Sequence, residues 1–366
     1  MQICTKCLMP NTRPRLTFNE EGVCGACQWG EEKKTKIDWE KRELELIEHL
    51  NSIRGKNKYD CIVPVSGGKD STYVAHKMKH DYNLNVLTVT VTSPLETNLI
   101  RGNLQNFLDY GYDNIKVTPN PAIAQKINKM GFIEQGRPLL SWTTCLNTVM
   151  LQLATTMEIP LIMFGEEGES EYGGTTKLRY TPYYNVEDAI EIYTYGNDPT
   201  QYSEYFPQNE LKWWTYPSKE ILQKHSVKIA HWSYFENWDS YKHYTFASEN
   251  YNMIVKEGRS MGTYTNFGQL DTPLYDLHTF MMYLKFGFGR CLQDVCIDIR
   301  GNRLSRAEGQ KLVEQYDGEF TEKYIPLYCE YYNISREEFD EVLDFHANKE
   351  LFEKVNGKWV PLFTIK

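Results

Sequence analysis

The sequence has no apolar run near the roughly 18–20 residues that a membrane-spanning helix requires. Its first residues, Met1-Gln2-Ile3-Cys4, lack the features of a secretory signal peptide. Positive charge is not in excess either, because 40 Lys and Arg stand against 49 Asp and Glu and the net charge is −9. An acidic chain provides no long-range field that attracts nucleic acid. We therefore expect a cytoplasmic protein with neither a membrane nor a nucleic acid as its partner.

The 9 cysteines are an odd number, and disulfides are rare in that compartment, so metal ligands and free thiols are expected instead. Four of them form two Cys-x-x-Cys pairs, Cys4 with Cys7 and Cys24 with Cys27, separated by sixteen residues. This spacing is typical of a four-cysteine zinc site. Four thiolates around one tetrahedral ion leave no open position for catalysis, so the pairs predict a structural Zn²⁺. Surface thiols or a redox pair are the alternatives.

The segment most informative about function follows an apolar run at residues 60–65 and reads Ser66-Gly67-Gly68-Lys69-Asp70-Ser71. A strand, a Ser-Gly-Gly loop and a helix start together favour phosphate binding, because glycines allow close backbone approach and helix N–H groups point at the anion. Lys69 adds a positive charge, and the two serines add hydroxyl donors. The spacing differs from that of a Walker loop. The alternative is a Gly-Gly turn before a helix, with Asp70 only an early-turn charge.

Between residues 59 and 165, β-branched apolar runs alternate with helix-periodic segments. This alternation predicts an α/β fold with a doubly wound parallel sheet, in which ligands lie beyond the carboxyl ends of the strands. The loop 66–71 and Gly165-Glu166-Glu167 would then face one crevice. The strands are predicted at 60–65, 86–92, 114–118 and 160–164, and a long helix at 144–157.

Four parts are predicted along the chain. They are a four-cysteine zinc module at 1–30, a helical connector at 31–57, the α/β core at 58–167, and a substrate or partner region at 168–366. The last part is aromatic-rich and without clear periodicity to about residue 287, and mostly helical beyond it. Its helices are predicted at about 240–256, 275–286 and 303–316, with another that begins at Ser335.

Five features together carry a resemblance to a known family. They are the two cysteine pairs, the loop 66–71, the segment 165–174, Lys285-Phe286-Gly287-Phe288-Gly289-Arg290, and the run Ile-Arg-Gly-Asn-Arg-Leu-Ser-Arg-Ala-Glu-Gly at 299–309. The loop resembles the PP-loop of the ATP pyrophosphatases, whose fold is adenine nucleotide alpha hydrolase-like. The combination, over essentially the whole chain, resembles the bacterial N-acetyl sugar amidotransferases of the WbpG/PseA type.

The resemblance implies an AMP- and pyrophosphate-forming C–N ligase. Such an enzyme converts an acetamido group of a nucleotide-activated sugar to an acetamidino group through an adenylated imidate, for lipopolysaccharide O-antigen, capsule or flagellin glycans. ATP, held by residues 66–71 and Gly165, and Mg²⁺ are the implied cofactors. No N-terminal cysteine nucleophile can follow Met1, because residue 2 is Gln. The ammonia is therefore expected from a partner subunit that resembles the glutaminase of histidine biosynthesis, with or without its cyclase-like companion. A homo-oligomer remains open.

The resemblance also directs attention to particular carboxylates. Lys69 and Asp70 are expected in the catalytic site, where Asp70 either places Mg²⁺ or orients Lys69. Glu166 and Glu171 are expected to bind Mg²⁺ or to act as a base on incoming ammonium. The alternative for both is a solvated acidic loop. Glu167 departs from the Gly-Glu-Asn pattern of the family, which leaves its role open.

Substrate contacts are expected at Cys145, Tyr172, Arg290, Asp294 and Arg300. Arginines suit a diphosphate or a sugar carboxylate through bidentate hydrogen bonds, and surface ion pairs are the alternative. Cys145 is expected near a helix start, which would lower the pKa of its thiol. We interpret it as structural or substrate-contacting rather than as a sulfur carrier.

Two other classes of protein remain open. A PP-loop tRNA-modifying enzyme of the thiolation type would need a basic RNA-binding face and a catalytic cysteine pair, and the net charge of −9 argues against the first. A non-catalytic zinc- and nucleotide-binding module would have a broken phosphate loop, whereas this loop is intact.

Overall fold

A computed structural model describes residues 1–365 except 195, 197 and 198, and residues 199 and 200 by their backbone alone. The β-branched runs form a five-stranded parallel sheet in the order β3-β2-β1-β4-β5. The strands are β1 (Cys61–Pro64), β2 (Val86–Val91), β3 (Asp113–Val117), β4 (Leu161–Phe164) and β5 (Lys228–His231). The predicted α/β fold with a parallel sheet is confirmed.

Six helices belong to the N-terminal half. Their starts follow local signals: Thr97 caps one helix through its side chain, and Asn120 caps the next, whose first residue is Pro121. A π-helical turn, Lys77–Asp81, extends the third helix. The helices are α1 (Gly25–Thr35), α2 (Trp39–Ile53), α3 (Lys69–His76), α4 (Asn98–Leu108), α5 (Pro121–Gln135) and α6 (Leu140–Thr156).

The C-terminal half is mostly helical, as predicted, and closes with an antiparallel hairpin of β6 (Phe352–Val355) and β7 (Lys358–Pro361). Short 3-10 turns lie at Pro199–Glu204, Gln208–Glu210, Lys212–Trp214 and Glu322–Tyr324. The helices are α7 (Gly168–Tyr172), α8 (Val186–Tyr193), α9 (Lys219–His225), α10 (Trp232–Phe235), α11 (Ser240–Tyr251), α12 (Leu274–Phe286), α13 (Arg290–Arg300), α14 (Arg306–Tyr316), α15 (Ile325–Tyr332) and α16 (Arg336–His346).

The order of the strands determines where the ligand crevice lies. The chain runs from β1 outward to β2 and β3, then returns to add β4 and β5 on the other side of β1. Between β1 and β4 the order reverses, which opens a crevice at the carboxyl ends of these two strands. The loop 66–71 follows β1 and Gly165-Glu166 follows β4, and both line that crevice as expected, whereas Glu167 does not.

Several elements differ from the sequence-based expectations. The sheet has a fifth strand, β5, whose composition of Lys-Ile-Ala-His carries little β signal. Helix α6 begins at Leu140, four residues earlier than predicted, because its N-cap residue Leu139 provides no side-chain cap to mark the start. Helix α13 and the C-terminal hairpin were not predicted.

The N-terminal cysteine pairs pack against the C-terminal half of the chain. Cys4 and Leu8 share an apolar cluster with Phe288, Leu292 and Val295. Helix α1 begins between Cys24 and Cys27 and continues to Thr35, so it crosses the boundary predicted at residue 30. The predicted domain limits themselves remain predictions. In the part of the chain that the structure describes, every helix is too short or too polar to cross a bilayer.

Candidate functional site

The loop after β1 leaves the start of α3 open to an anion. Gly68 is the N-cap residue, and no side chain among the described residues caps the first N–H groups of α3, which therefore point into the crevice. Gly67 has φ +91°, and a Cβ there would lie 2.5 Å from the backbone nitrogen of Leu104 in α4. Only glycine allows this close approach of the loop to α4.

A cavity of about 340 Å³ lies over the carboxyl ends of β1 and β4. Its lining comes from the phosphate loop, the segment after β4, the C-terminal half, and residues of β2, α4 and α6. The predicted residues that line it are Ser66, Gly68, Lys69, Asp70, Ser71, Gly165, Glu166, Tyr172 and Arg290. Gly67 supports this lining from behind, against α4.

Asp70 is surrounded by donors. One carboxylate oxygen, Oδ1, accepts hydrogen bonds from Nε1 of Trp238 at 2.8 Å and from Nδ1 of His243 at 2.7 Å. The other, Oδ2, accepts from Nζ of Lys69. Burial opposes ionisation, but Lys69 and His243 outweigh it and hold the pKa of Asp70 below its usual range. Asp70 therefore orients Lys69, and little of its carboxylate remains for a metal ion.

Trp238 and His243 were not predicted as site residues. His243 is fully buried in α11, and its ring stacks on Tyr73 of α3 with centroids 4.0 Å apart. A carboxylate only accepts hydrogen bonds, so the proton shared with ionised Asp70 belongs to Nδ1 of His243. Its Nε2 is buried and has no hydrogen-bond partner among the described residues.

Glu166 lies across the crevice from the phosphate loop. Burial and the neighbouring Asp70 carboxylate raise its pKa to about 7, against the lowering effect of Lys69. Burial, and then the charge of Glu166, also raise the pKa of Tyr172. A carboxyl group that titrates near neutrality in a polar cavity can accept or release a proton under physiological conditions.

The C-terminal half supplies the remaining lining. Arg290 pairs with Asp294, whose Oδ2 accepts from the hydroxyls of Thr263 at 2.7 Å and Thr265 at 3.0 Å. Asp294 therefore lies behind Arg290 and orients it. Asp271, which was not predicted, lines the cavity beside Ser66. Burial raises the pKa of Asp271 to about 6, although a hydrogen bond from Ser66 acts in the opposite direction.

Glu171 and Arg300, both predicted as site residues, lie away from the cavity. Glu171 is buried against α1, where its Oε2 accepts from Nζ of Lys33 at 2.7 Å and its Oε1 from Nε1 of Trp29 at 3.2 Å. Arg300 donates to the backbone oxygen of Glu171 at 2.8 Å. Residues 171 and 172 point in different directions because successive helical residues are about 100° apart, so Tyr172 faces the cavity and Glu171 does not.

Glu167 stabilises the start of α7. Its side chain caps α7 by accepting from the backbone N–H groups of Glu169 at 3.2 Å and Ser170 at 2.7 Å. Its own N–H donates to Ser233 at 2.8 Å. This side chain is therefore occupied in ordering the segment after β4.

The expectation of a lowered pKa at Cys145 is wrong. The residue lies in the second turn of α6, not at its start, and burial raises the pKa of its thiol well above the usual value. Its Sγ donates to the backbone oxygen of Trp213 at 3.4 Å. Trp142 and Leu146 of the same helix line the cavity, whereas the structure places Cys145 outside it.

The four paired cysteines meet as predicted. Their sulfur atoms all lie within 4.8 Å of one another, and all four residues are buried. The Sγ atoms of Cys4 and Cys27 are 3.9 Å apart, and those of Cys7 and Cys24 are 3.7 Å apart. A tetrahedral ion with Zn–S bonds of about 2.3 Å has S···S edges of about 3.8 Å, so the cluster fits a single metal ion.

Comparison with known proteins adds one match in sequence. A family model described as LPS biosynthesis protein WbpG-like, C-terminal domain, matches residues 261–365. This region supplies Asp271, Tyr275 and Arg290 to the cavity. No curated protein matches the chain.

Solved structures give distant likenesses. The U34-tRNA thiolase NcsA from Methanococcus maripaludis with its [4Fe-4S] cluster is 12% identical, with 86% of this chain and 87% of that chain covered and a TM-score of 0.36. The NH3-dependent NAD synthetase from Campylobacter jejuni is 11% identical, with 52% of this chain and 92% of that chain covered and a TM-score of 0.28. The NMN synthetase from Francisella tularensis is 11% identical, with 62% of this chain and 100% of that chain covered and a TM-score of 0.25. Likeness at this level supports no conclusion about this chain.

Proposed function

We propose that this chain is an ATP-dependent, AMP- and pyrophosphate-forming ligase that converts an acetamido group of a nucleotide-activated sugar to an acetamidino group. The observation that carries the proposal is the composition of the cavity. A phosphate loop and a carboxyl group that titrates near neutrality face residues from the region that matches the WbpG-like family model. The product would serve lipopolysaccharide or another surface glycan.

The phosphate loop would hold the triphosphate of ATP. The free N–H groups at the start of α3 and the ammonium of Lys69 supply positive potential there. The Asp70 carboxylate orients the ammonium of Lys69, and hydrogen bonds from Trp238 and His243 orient that carboxylate. Preorganised donors of this kind stabilise charge that develops as pyrophosphate leaves.

Mg²⁺ would be held by oxygen atoms on the Ser66 side of the cavity. The hydroxyl of Ser66 and the carboxylate of Asp271 are adjacent there, and a hydroxyl with a carboxylate beside phosphate oxygens suits this ion. Asp70 suits the role less well, because its Oδ1 already accepts two hydrogen bonds and its Oδ2 accepts one from Lys69. The bound ion would neutralise charge on the phosphates of ATP.

The reaction needs an amide oxygen converted into a leaving group. That oxygen attacks the α-phosphorus of ATP and pyrophosphate departs, which leaves an imidate bound to AMP. The lone pair of ammonia then attacks the imidate carbon, and AMP departs with the original amide oxygen. Glu166 would take the proton that the attacking nitrogen gives up, a role that its pKa, raised to about 7, supports.

Arg290 would contact the anionic part of the sugar substrate. Its half-buried guanidinium pairs with Asp294, and Arg290 lines the same cavity as the phosphate loop. A planar guanidinium binds phosphate or carboxylate oxygens through two parallel hydrogen bonds. The ammonia would come from a partner glutaminase subunit, as the resemblance to the WbpG/PseA-type amidotransferases implies.

The four-cysteine cluster would hold one structural Zn²⁺. Four thiolates leave no coordination position for substrate, so the ion would stabilise the fold around it and take no part in the reaction. The thiolation alternative is disfavoured by Cys145, whose thiol is buried outside the cavity with a raised pKa.

The test is an assay with ammonium, Mg-ATP and candidate UDP- and CMP-diacetamido sugars. We expect AMP, pyrophosphate and a sugar nucleotide that is lighter by the difference between oxygen and an NH group. Lys69→Met should abolish product formation. The control is Lys77→Met, the first residue of the π-helical turn that directly follows α3, where the ammonium pairs with Asp81 outside the cavity. Pyrophosphate formed only with tRNA would support the thiolation alternative and contradict the proposal.

A further inference from the structure

The segment after β4 connects two sites. Residues 165–174 are called here the Glu166 loop, and residues 1–35, which carry the four cysteines and α1, are called the cysteine module. Glu166 and Tyr172 of this loop line the nucleotide cavity. The neighbouring Glu171 and Gly173 contact the cysteine module instead.

The contact at Glu171 uses both carboxylate oxygens. Lys33 and Trp29, two side chains of α1, donate to them at 2.7 and 3.2 Å. The side chains of Lys33 and Glu171 are only 9% and 7% exposed. A buried pair of opposite charges holds its partners firmly, because separating them leaves an unpaired charge away from water.

Further contacts lie at the end of the loop. Arg13 donates to the backbone oxygen of Gly173 at 2.8 Å, and Arg15 pairs with Glu169 at 2.9 Å. Gly173 has φ +93°, and a Cβ there would lie 2.9 Å from Leu16 and 3.1 Å from Ala26. Ala26 lies between two of the paired cysteines. The loop therefore rests directly on the backbone that surrounds the sulfur cluster.

The residues of the Glu166 loop that line the cavity depend on the position of α7. Tyr172 follows Glu171 directly in α7, and Glu166 precedes the cap of that helix by one residue. If α7 shifts on the cysteine module, both cavity residues shift with it. Glu167 ties the loop to Ser233, but residues 169–173 are held from the module side by Arg13, Arg15, Trp29 and Lys33.

We propose that Glu171 is a positioning residue that couples the cysteine module to the nucleotide cavity, so that metal binding and nucleotide binding strengthen each other. The inference rests on the nucleotide site of the proposed function but not on the sugar or the ammonia source. A coupling between two sites is reciprocal: whatever factor the metal adds to nucleotide affinity, the nucleotide adds to metal affinity.

The first experiment measures the affinity for Mg-ATP by calorimetry, without sugar. We expect Lys33→Met and Glu171→Gln to weaken binding roughly tenfold, with the bound metal per chain unchanged. Lys33→Arg should restore the affinity, because it keeps the ion pair. The control is Lys34→Met, in the same helix, because the exposed Lys34 side chain reaches the backbone oxygen of Arg300 and not the loop.

The second experiment needs no variant. The rate at which a colorimetric chelator removes the metal from the wild-type protein is measured with and without saturating Mg-ATP, and we expect ATP to slow it several-fold. Equal removal rates, together with unchanged ATP affinity in Lys33→Met and Glu171→Gln, would overturn the inference. If the wild-type protein does not bind Mg-ATP at all, the proposed function itself fails.

Discussion

The Nδ1 atom of His243 lies 2.7 Å from the Oδ1 atom of Asp70, although the two residues are 173 positions apart in the chain. Through Asp70, this contact determines where the ammonium of Lys69 points. Trp238 donates to the same oxygen at 2.8 Å, so a buried histidine and an indole together fix the carboxylate inside the phosphate loop.

The first prediction concerns this histidine. His243→Leu removes the donor and should lower kcat by about tenfold to a hundredfold, because a small displacement of a reacting group has effects of this size. His243→Asn should recover most of kcat, since the asparagine amide can donate from nearly the same place as Nδ1. Steady-state kinetics with varied Mg-ATP checks both variants. Equal activity of the Leu and Asn variants would contradict this role.

The second prediction concerns pH. Burial raises the pKa of Glu166 from 4.5 to about 7, so the folded protein holds a proton there that the unfolded chain releases. This group therefore favours folding fully below pH 4.5, and its contribution is lost as the pH rises towards 7. We expect Glu166→Gln to raise the melting temperature at pH 8 relative to the wild type, with little effect at pH 4.

The pH dependence of activity in Glu166→Gln tests the role of this carboxyl group independently of its effect on stability. If Glu166 accepts a proton during the reaction, kcat/KM for the sugar nucleotide, measured at a constant concentration of free ammonia, rises with pH in the wild type through an apparent pKa near 7. Glu166→Gln should be slow at every pH and lack that rise. A rise that persists in the variant would show that another group titrates.

The third prediction concerns Gly67. Gly67→Ala places a Cβ 2.5 Å from the Leu104 backbone at φ +91°, and we expect a loss of about 1–3 kcal/mol in the free energy of unfolding, with loss of ATP binding. Gly102→Ala, in the adjacent helix α4, is the matched control, because a Cβ there meets nothing within 4 Å. The control should bind ATP normally and be slightly more stable, by up to about 1 kcal/mol.

The fourth prediction concerns the metal. We expect one zinc ion per chain by elemental analysis, and no iron or visible absorbance after aerobic or anaerobic purification. Cys7→Ser should lose the ion and much of the stability, since Cys7 packs in the apolar cluster with α13 and α14. Cys329→Ser lies outside the sulfur cluster and should retain the full metal content. Iron in stoichiometric amounts would contradict the zinc assignment.

The core was predictable because its signals are local. β2 is a continuous run of buried residues, and the glycines after β1 mark a loop that must approach another helix. The sulfur cluster was predictable for the same reason, since two Cys-x-x-Cys pairs form one site wherever the rest of the chain lies.

The remaining parts of the site depend on contacts between distant residues. No local pattern indicates that Trp238, 168 positions away, would meet Asp70. Glu171 was expected in the active site because it lies in the loop after β4, in a segment that resembles the family pattern. One helical step turns it towards Lys33 instead, and nothing in the sequence alone reveals that α1 lies on that side.

The most direct test of the account follows the amide oxygen. The sugar nucleotide is prepared with oxygen-18 in its acetamido group and incubated with the enzyme, ammonium and Mg-ATP, and the AMP is analysed by mass spectrometry. Adenylation of the amide oxygen predicts that each AMP formed with product carries the label. Amidino sugar formed together with unlabelled AMP would contradict the central claim.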